Sequence, residues 1–157
     1  MNDARIGFIL NGQPVQVEAL PGMTLLEALR GPLGLSGPRF GCGEEACGAC
    51  HVRIDGESRP CCALPAEAVA GRAVQSVEGL GDATHPHPLQ RAFAAEQAGQ
   101  CGYCLSGILV SAAALLEADP TPDEAAVRAA LEPHFCRCGA QNRIIRAVLR
   151  AAEERAA

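Results

Sequence analysis

Residues 41–50 read Gly-Cys-Gly-Glu-Glu-Ala-Cys-Gly-Ala-Cys, and they constrain the chain more than any other stretch. Cys42, Cys47 and Cys50 stand in a C-x4-C-x2-C spacing, and a fourth candidate follows at Cys61 or Cys62. That is the plant-type ligand spacing for a [2Fe–2S] cluster. A loop that wraps an inorganic core must bring its backbone close to the sulfur atoms and aim N–H groups at them. Gly41, Gly43 and Gly48 suit this, because glycine accepts positive φ and carries no side chain to collide with a cluster. The plain alternative is a flexible glycine loop with buried free thiols. Nine cysteines in 157 residues, at these spacings, argue against it.

A second set follows: Cys101-Gly102-Tyr103-Cys104 and Cys136-Arg137-Cys138. Leu105, Ile108, Leu109, Ala112, Leu115 and Leu116 recur with helical spacing after the first pair. Ile144, Ile145, Val148, Leu149 and Ala152 do the same after the second. Both pairs therefore precede helices, whose free N–H groups and dipole favour thiolates. Packing the two ends together would gather four sulfurs into a second site. A thiol–disulfide catalyst would also use Cys-Gly-Tyr-Cys at a helix start, but the βαβ context it needs is missing. Structural zinc accepts four thiolates, yet Cys-x-Cys is not a usual finger spacing.

The remaining chain divides into two patterns. Ile6–Leu10 and Val15–Val17 flank Asn11-Gly12, a strong hairpin signal because both turn residues accept left-handed φ. Pro21-Gly22 ends that hairpin, and Thr24-Leu25-Leu26-Glu27 forms a capping box for a short helix through Arg30. A second hairpin is expected over 51–59 around Asp55-Gly56, with a further strand at Ala73–Val77. Hairpin followed by helix is how a β-grasp sheet begins. Residues 79–87, with Pro86 inside, Pro88 just beyond and no periodicity, read as a linker. Four short helices are then expected. The first spans 89–97, and the third restarts after Pro120, with Thr121 as its cap and Pro122 in its first turn.

The fold class is thus α+β. A β-grasp domain over 1–78, carrying the plant-type [2Fe–2S] loop, is joined by the 79–87 linker to a four-helix bundle over 88–157 that carries the second cysteine set. The formal charge of −5 argues against a nucleic-acid partner, since a phosphate-binding surface needs a cationic excess. No apolar run reaches membrane-spanning length, and the N-terminus lacks a signal peptide's apolar core, so no membrane insertion is expected. Clustered cysteines in the reducing cytoplasm read as metal or redox ligands before they read as disulfides.

Taken together, C-x4-C-x2-C and C-x2-C-x31-C-x-C over nearly the whole length resemble the small iron–sulfur subunit of the molybdenum hydroxylases, the xanthine dehydrogenase and aldehyde oxidoreductase family. The resemblance implies that Cys42, Cys47, Cys50 and Cys62 ligate the first cluster, with eleven residues between Cys50 and Cys62 as in the family. It implies that Cys101, Cys104, Cys136 and Cys138 ligate the second. Gln100 and Cys138 would contact the pterin of a molybdopterin, of the cytosine dinucleotide form, bound by a large partner subunit. Ser106 replaces a usual proline, and Gly139-Ala140-Gln141 a frequent Thr-Gly-Tyr; both resemble the isoquinoline and nicotinate hydroxylase branch.

The function implied is electron relay from that molybdopterin centre through two [2Fe–2S] clusters to an external acceptor, a cytochrome or flavin subunit. The chain would belong to an oxidoreductase without being catalytic alone. A free-standing two-cluster ferredoxin, diffusing as a carrier, is the alternative. The cytoplasm is the expected compartment, or the periplasm if a signal-bearing partner exports the complex. Among the histidines, His51 is expected to start a strand, His85 and His87 to lie in the linker, and His134 to make a local hydrogen bond. Glu44 and Glu45 read as a solvated loop face.

Overall fold

The computed structural model describes residues 4–156. Its N-terminal half is a five-stranded sheet of order β2-β1-β5-β3-β4. Strands β1 (Ala4–Leu10) and β2 (Gln13–Ala19) pair antiparallel around Asn11-Gly12, where Asn11 has φ 50° and Gly12 φ 80°. The second expected hairpin is β3 (Val52–Ile54) and β4 (Glu57–Arg59), turning at Asp55 with φ 51°. Strand β5 (Ala73–Gln75) lies between them, parallel to β1 and antiparallel to β3.

That last strand is two residues shorter than the sequence suggests. Asn11 Oδ1 accepts from Ser76 N at 2.9 Å and Asn11 Nδ2 donates to Ser76 Oγ at 3.0 Å, so a side chain replaces the ladder there. A 3-10 turn over Val77–Gly79 follows.

Helix α1 (Leu25–Arg30) starts at the expected capping box: Glu27 N donates to Thr24 Oγ1 at 3.2 Å and Thr24 N to Glu27 Oε2 at 2.8 Å. Such a cap contributes about 1 kcal/mol. Its buried face, Leu25, Leu26, Ala28 and Leu29, packs with Ile6, Phe8, Val17, Val52, Ile54 and Val74 into one core. Leu25 N and Leu26 N donate to the carbonyls of Leu64 (2.7 Å) and Cys61 (3.0 Å), which pins the Cys61–Leu64 segment against the helix start.

The connection after the 3-10 turn is ordered by Asp82, whose carboxylate accepts from Thr84 N and His85 N, both at 2.7 Å. His85 is exposed there, whereas His87 caps α2 (Pro88–Ala95), its ring accepting from Leu89 N at 3.2 Å. Helices α3 (Leu105–Ala118), α4 (Glu124–Leu131) and α5 (Gln141–Ala156) complete the bundle. The cap of α4 is Asp123, accepting from Ala126 N at 2.8 Å, and not Thr121 as expected. A carboxylate caps at least as well as a hydroxyl and adds favourable charge at the helix N-terminus. Leu89, Phe93, Ile108, Leu116, Val127, Ile144 and Val148 form the second core.

Helix α3 lies across β3 and β4. It therefore buries the sheet face that an isolated ferredoxin fold would leave in water, and Val52, Arg53 and Ile54 are all buried. Arg53 meets this cost by donating to Gly56 O (3.2 Å), Gln75 Oε1 (2.7 Å) and the carboxylate of Glu117 on α3.

Candidate metal centres

In the first set, the loop between α1 and β3 folds its N–H groups inward. Cys42 Sγ accepts from Glu44 N at 3.4 Å and Ala46 N at 3.2 Å, and Cys62 Sγ accepts from Glu45 N at 3.4 Å. Cys50 Sγ accepts from Cys61 N at 3.3 Å. Cys42 contacts Cys47, and Cys50 contacts Cys62. Gly48 has φ +75°, as expected, but Gly41 is needed for space: a Cβ there would sit 2.6 Å from Cys47 Sγ.

Cys61 and Cys62 separate clearly. Cys61 is fully buried, and its thiol donates to the Cys50 carbonyl at 2.8 Å. The Cys61 thiol lowers Cys50 to about 5, while that contact and burial push Cys61 itself up. The N–H of Glu44 leads a set of bonds that holds Cys42 at about 7. Burial pushes Cys62 up to about 11, a bias that a coordinated cation reverses by deprotonating the thiol.

The second set assembles from two helix starts. Cys104 is the residue before α3, and Cys136 and Cys138 lie just before α5. Cys101 Sγ and Cys138 Sγ are 3.5 Å apart, and Cys104 contacts Cys136. The N–H of Tyr103 lowers the Cys101 thiol. Burial opposes ionisation of Cys136, but the N–H of Ala140, the Cys104 thiol and the N–H groups of Cys138 and Gly139 outweigh it. Burial pushes Cys104 up to about 12. Gln100 is exposed, and its Nε2 donates to the Cys138 carbonyl at 3.2 Å, so these two residues share one surface.

An all-thiol donor set with backbone N–H groups aimed at sulfur suits iron–sulfur clusters, whose potentials depend on such bonds and on burial. The two sets differ in exposure, with Cys50 buried in the first and Cys101 exposed in the second.

One cleft of about 320 Å³ is lined by members of both sets, Cys42 and Cys47 from the first and Cys101, Cys104 and Cys136 from the second. Beside it, Phe135 N donates to the Cys47 carbonyl at 3.0 Å. Phe40, Tyr103 and Phe135 are exposed around this region, and the Tyr103 hydroxyl donates to the Phe40 carbonyl.

His51 precedes β3 without joining it, contrary to expectation. His134 N makes a local bond to the Leu131 carbonyl at 2.9 Å, but its ring reaches further: Nε2 meets Ser111 Oγ of α3 at 2.7 Å, 23 residues away. Burial holds both rings at about 4, so both are uncharged at neutral pH.

Known proteins share this arrangement. A family described as 2Fe-2S iron-sulfur cluster binding domain matches residues 8–75, and one described as [2Fe-2S] binding domain matches residues 76–149. Fold and site thus define a protein with two [2Fe–2S]-binding domains in series. The nicotinate dehydrogenase of Pseudomonas putida has a subunit that is 49% identical over 96% of this chain and 96% of its own. The alpha subunit of isoquinoline 1-oxidoreductase from Brevundimonas diminuta is 51% identical over 96% of this chain and 99% of its own. Quinoline 2-oxidoreductase from Pseudomonas putida contains a chain that superposes with a TM-score of 0.91 at 35% identity, covering 96% of this chain and 94% of that one. In the aldehyde oxidoreductase of Desulfovibrio desulfuricans the same fold, at TM-score 0.93 and 35% identity, takes up 17% of a longer chain. The chain belongs to the iron–sulfur small subunits of the xanthine dehydrogenase family of molybdenum hydroxylases.

Proposed function

We propose that this chain is the electron-transfer subunit of a molybdenum hydroxylase, passing electrons from a molybdopterin centre in a larger partner to an external acceptor. Cys42, Cys47, Cys50 and Cys62 hold one cluster, and Cys101, Cys104, Cys136 and Cys138 hold the other. When bound, a [2Fe–2S] cluster takes up and releases one electron at a time. The chain's own groups hold the sulfurs in place, donate N–H bonds to them and exclude water from Cys50 and Cys136. Gln100 and Cys138 present the surface that meets the pterin, and a cytochrome or flavin subunit takes the electrons onward. Assembly is cytoplasmic, with export only where a partner carries the signal; among the described residues no helix is long and apolar enough to cross a membrane.

The observation that carries this reading is that members of both thiol sets line one cleft, beside the Phe135–Cys47 backbone bond. The exposed Gln100–Cys138 pair favours a fixed partner over a diffusible carrier, which has no use for it. Purifying the native protein through a tag on this chain tests the reading. Iron and molybdenum should elute together with a larger polypeptide. If the native preparation holds iron but neither molybdenum nor a partner, the diffusible ferredoxin is supported instead.

A further inference from the structure

A buried polar link lies between the two thiol sets, and none of its members is a candidate metal ligand. His51 adjoins Cys50, and His134 stands two residues before Cys136. Their rings meet edge to face, with centroids 4.6 Å apart and planes at 63°. Ser111, from the middle of α3, reaches both: its Oγ lies 3.3 Å from His51 Nδ1 and 2.7 Å from His134 Nε2. Ser58 of β4 closes the group, with Oγ 2.8 Å from His51 Nδ1 and 2.5 Å from Ser111 Oγ. His51, Ser111 and His134 are each less than a tenth exposed.

The hydrogens can be placed consistently along this chain. With His134 Nε2–H donating to Ser111, Ser111 donates to Ser58 and Ser58 to His51 Nδ1. The reverse order, begun by His51 Nδ1–H, partners the same hydroxyls but puts the His134 proton on Nδ1, which is buried without a partner, so the first order is the better satisfied. Both hydroxyls are satisfied in either case with both rings uncharged. A buried network whose hydroxyls are all partnered is directional and holds one arrangement, whereas apolar surfaces tolerate sliding. The surrounding backbone is close-packed as well. A Cβ on Gly107 of α3 would overlap the Gly48 carbonyl, and a Cβ on Gly48 would overlap the His134 ring. The loop that carries Cys47 and Cys50 is thereby seated against both α3 and the segment that carries Cys136.

We propose that Ser111, with His51, His134 and Ser58, is a positioning group that fixes the separation of the two cysteine sites. The proposal rests on reading both sets as [2Fe–2S] ligands. It does not involve the rings in proton or electron transfer. The four residues act through the cysteines beside them: His51 through Cys50, His134 through Cys136, and the two serines as the bridge across the domain contact.

The test is EPR of the full chain, loaded anaerobically with iron and sulfide and fully reduced, so that each cluster is paramagnetic. Two such centres split or broaden each other's signals by a magnetic interaction that falls with the inverse cube of distance. Ser111→Ala should keep both signals at wild-type intensity but lose the single wild-type splitting, giving a smaller or spread value. Ser58→Ala, at a half-buried site, should change it in the same direction and by less, and serves if the first variant does not load. Wild-type splitting in the variants that load both clusters would overturn the proposal. Absence of two signals in the wild-type protein would overturn the ligand reading instead.

Discussion

The backbone N–H of Phe135 donates to the carbonyl of Cys47 at 3.0 Å. One end of that bond is the backbone of a cysteine of the first set and the other is the residue before Cys136 of the second. The two halves of the chain are therefore stitched together at the residues that carry the chemistry. Gly48, next along from Cys47, sits under His134 in the same contact.

Gly48→Ala should be costly for two reasons. The residue has φ +75°, which costs an L-residue about 1–2 kcal/mol, and its Cβ would overlap His134. Overpacking of that kind costs about 1–3 kcal/mol more. Gly12→Ala is the control, since Gly12 has φ +80° but open space around it. Thermal unfolding should show a clearly larger loss at Gly48. Equal losses would mean that the domain contact is not close-packed there.

The adjacent cysteines make a sharper test. Neighbouring residues on an extended segment point to opposite sides. Cys62 Sγ accepts from Glu45 N, whereas the Cys61 thiol is committed to the Cys50 carbonyl. Cys61→Ser should keep both reduced-cluster EPR signals, and Cys62→Ser should lose or alter the ferredoxin-type signal alone. The reverse result would place the ligand at Cys61.

What was legible in the sequence is what local chemistry dictates. Asn11-Gly12 and Asp55-Gly56 announced their turns because few residue pairs accept positive φ, and Thr24 with Glu27 announced a helix start. The two cysteine patterns marked the sites because cluster ligation leaves little freedom in spacing. What stayed hidden depends on the contact between the halves. Arg53 alternates with Val52 and Ile54 as an outward residue would, and only α3 packing over it makes it buried. His134 and Ser111 are far apart in the chain, so no periodicity links them. The 3-10 turn over Ala66–Val69 has no side-chain cap to betray it.

The Arg53–Glu117 pair should contribute to stability in a pH-dependent way. The Arg53 guanidinium holds the Glu117 carboxyl below its ordinary value of 4.5, against a smaller effect of burial. A carboxylate lowered in the folded state stabilises it above the unfolded value and loses that contribution as pH falls through the folded one. Glu117 is about half exposed, so solvent screening keeps the contribution near 1 kcal/mol. Glu117→Gln should thus lower the unfolding midpoint at pH 7, and the gap from wild type should narrow below pH 4.5. A gap that is constant across this range would show that charge is not the cause.

Gln100→Ala should leave both clusters assembled, because Gln100 supplies only the 3.2 Å bond to the Cys138 carbonyl. Electron flow from the molybdenum subunit, or assembly with it, should fall. Iron content and reduced-cluster EPR separate this from a ligand defect, and unchanged turnover and cofactor loading in the complex would rule the role out.

Metal content is the most direct test. The purified chain, reconstituted anaerobically with iron and sulfide, should hold two [2Fe–2S] clusters and no molybdenum, with two distinct reduced signals by EPR. Stoichiometric zinc in place of iron, or a single cluster after full reconstitution, would contradict it.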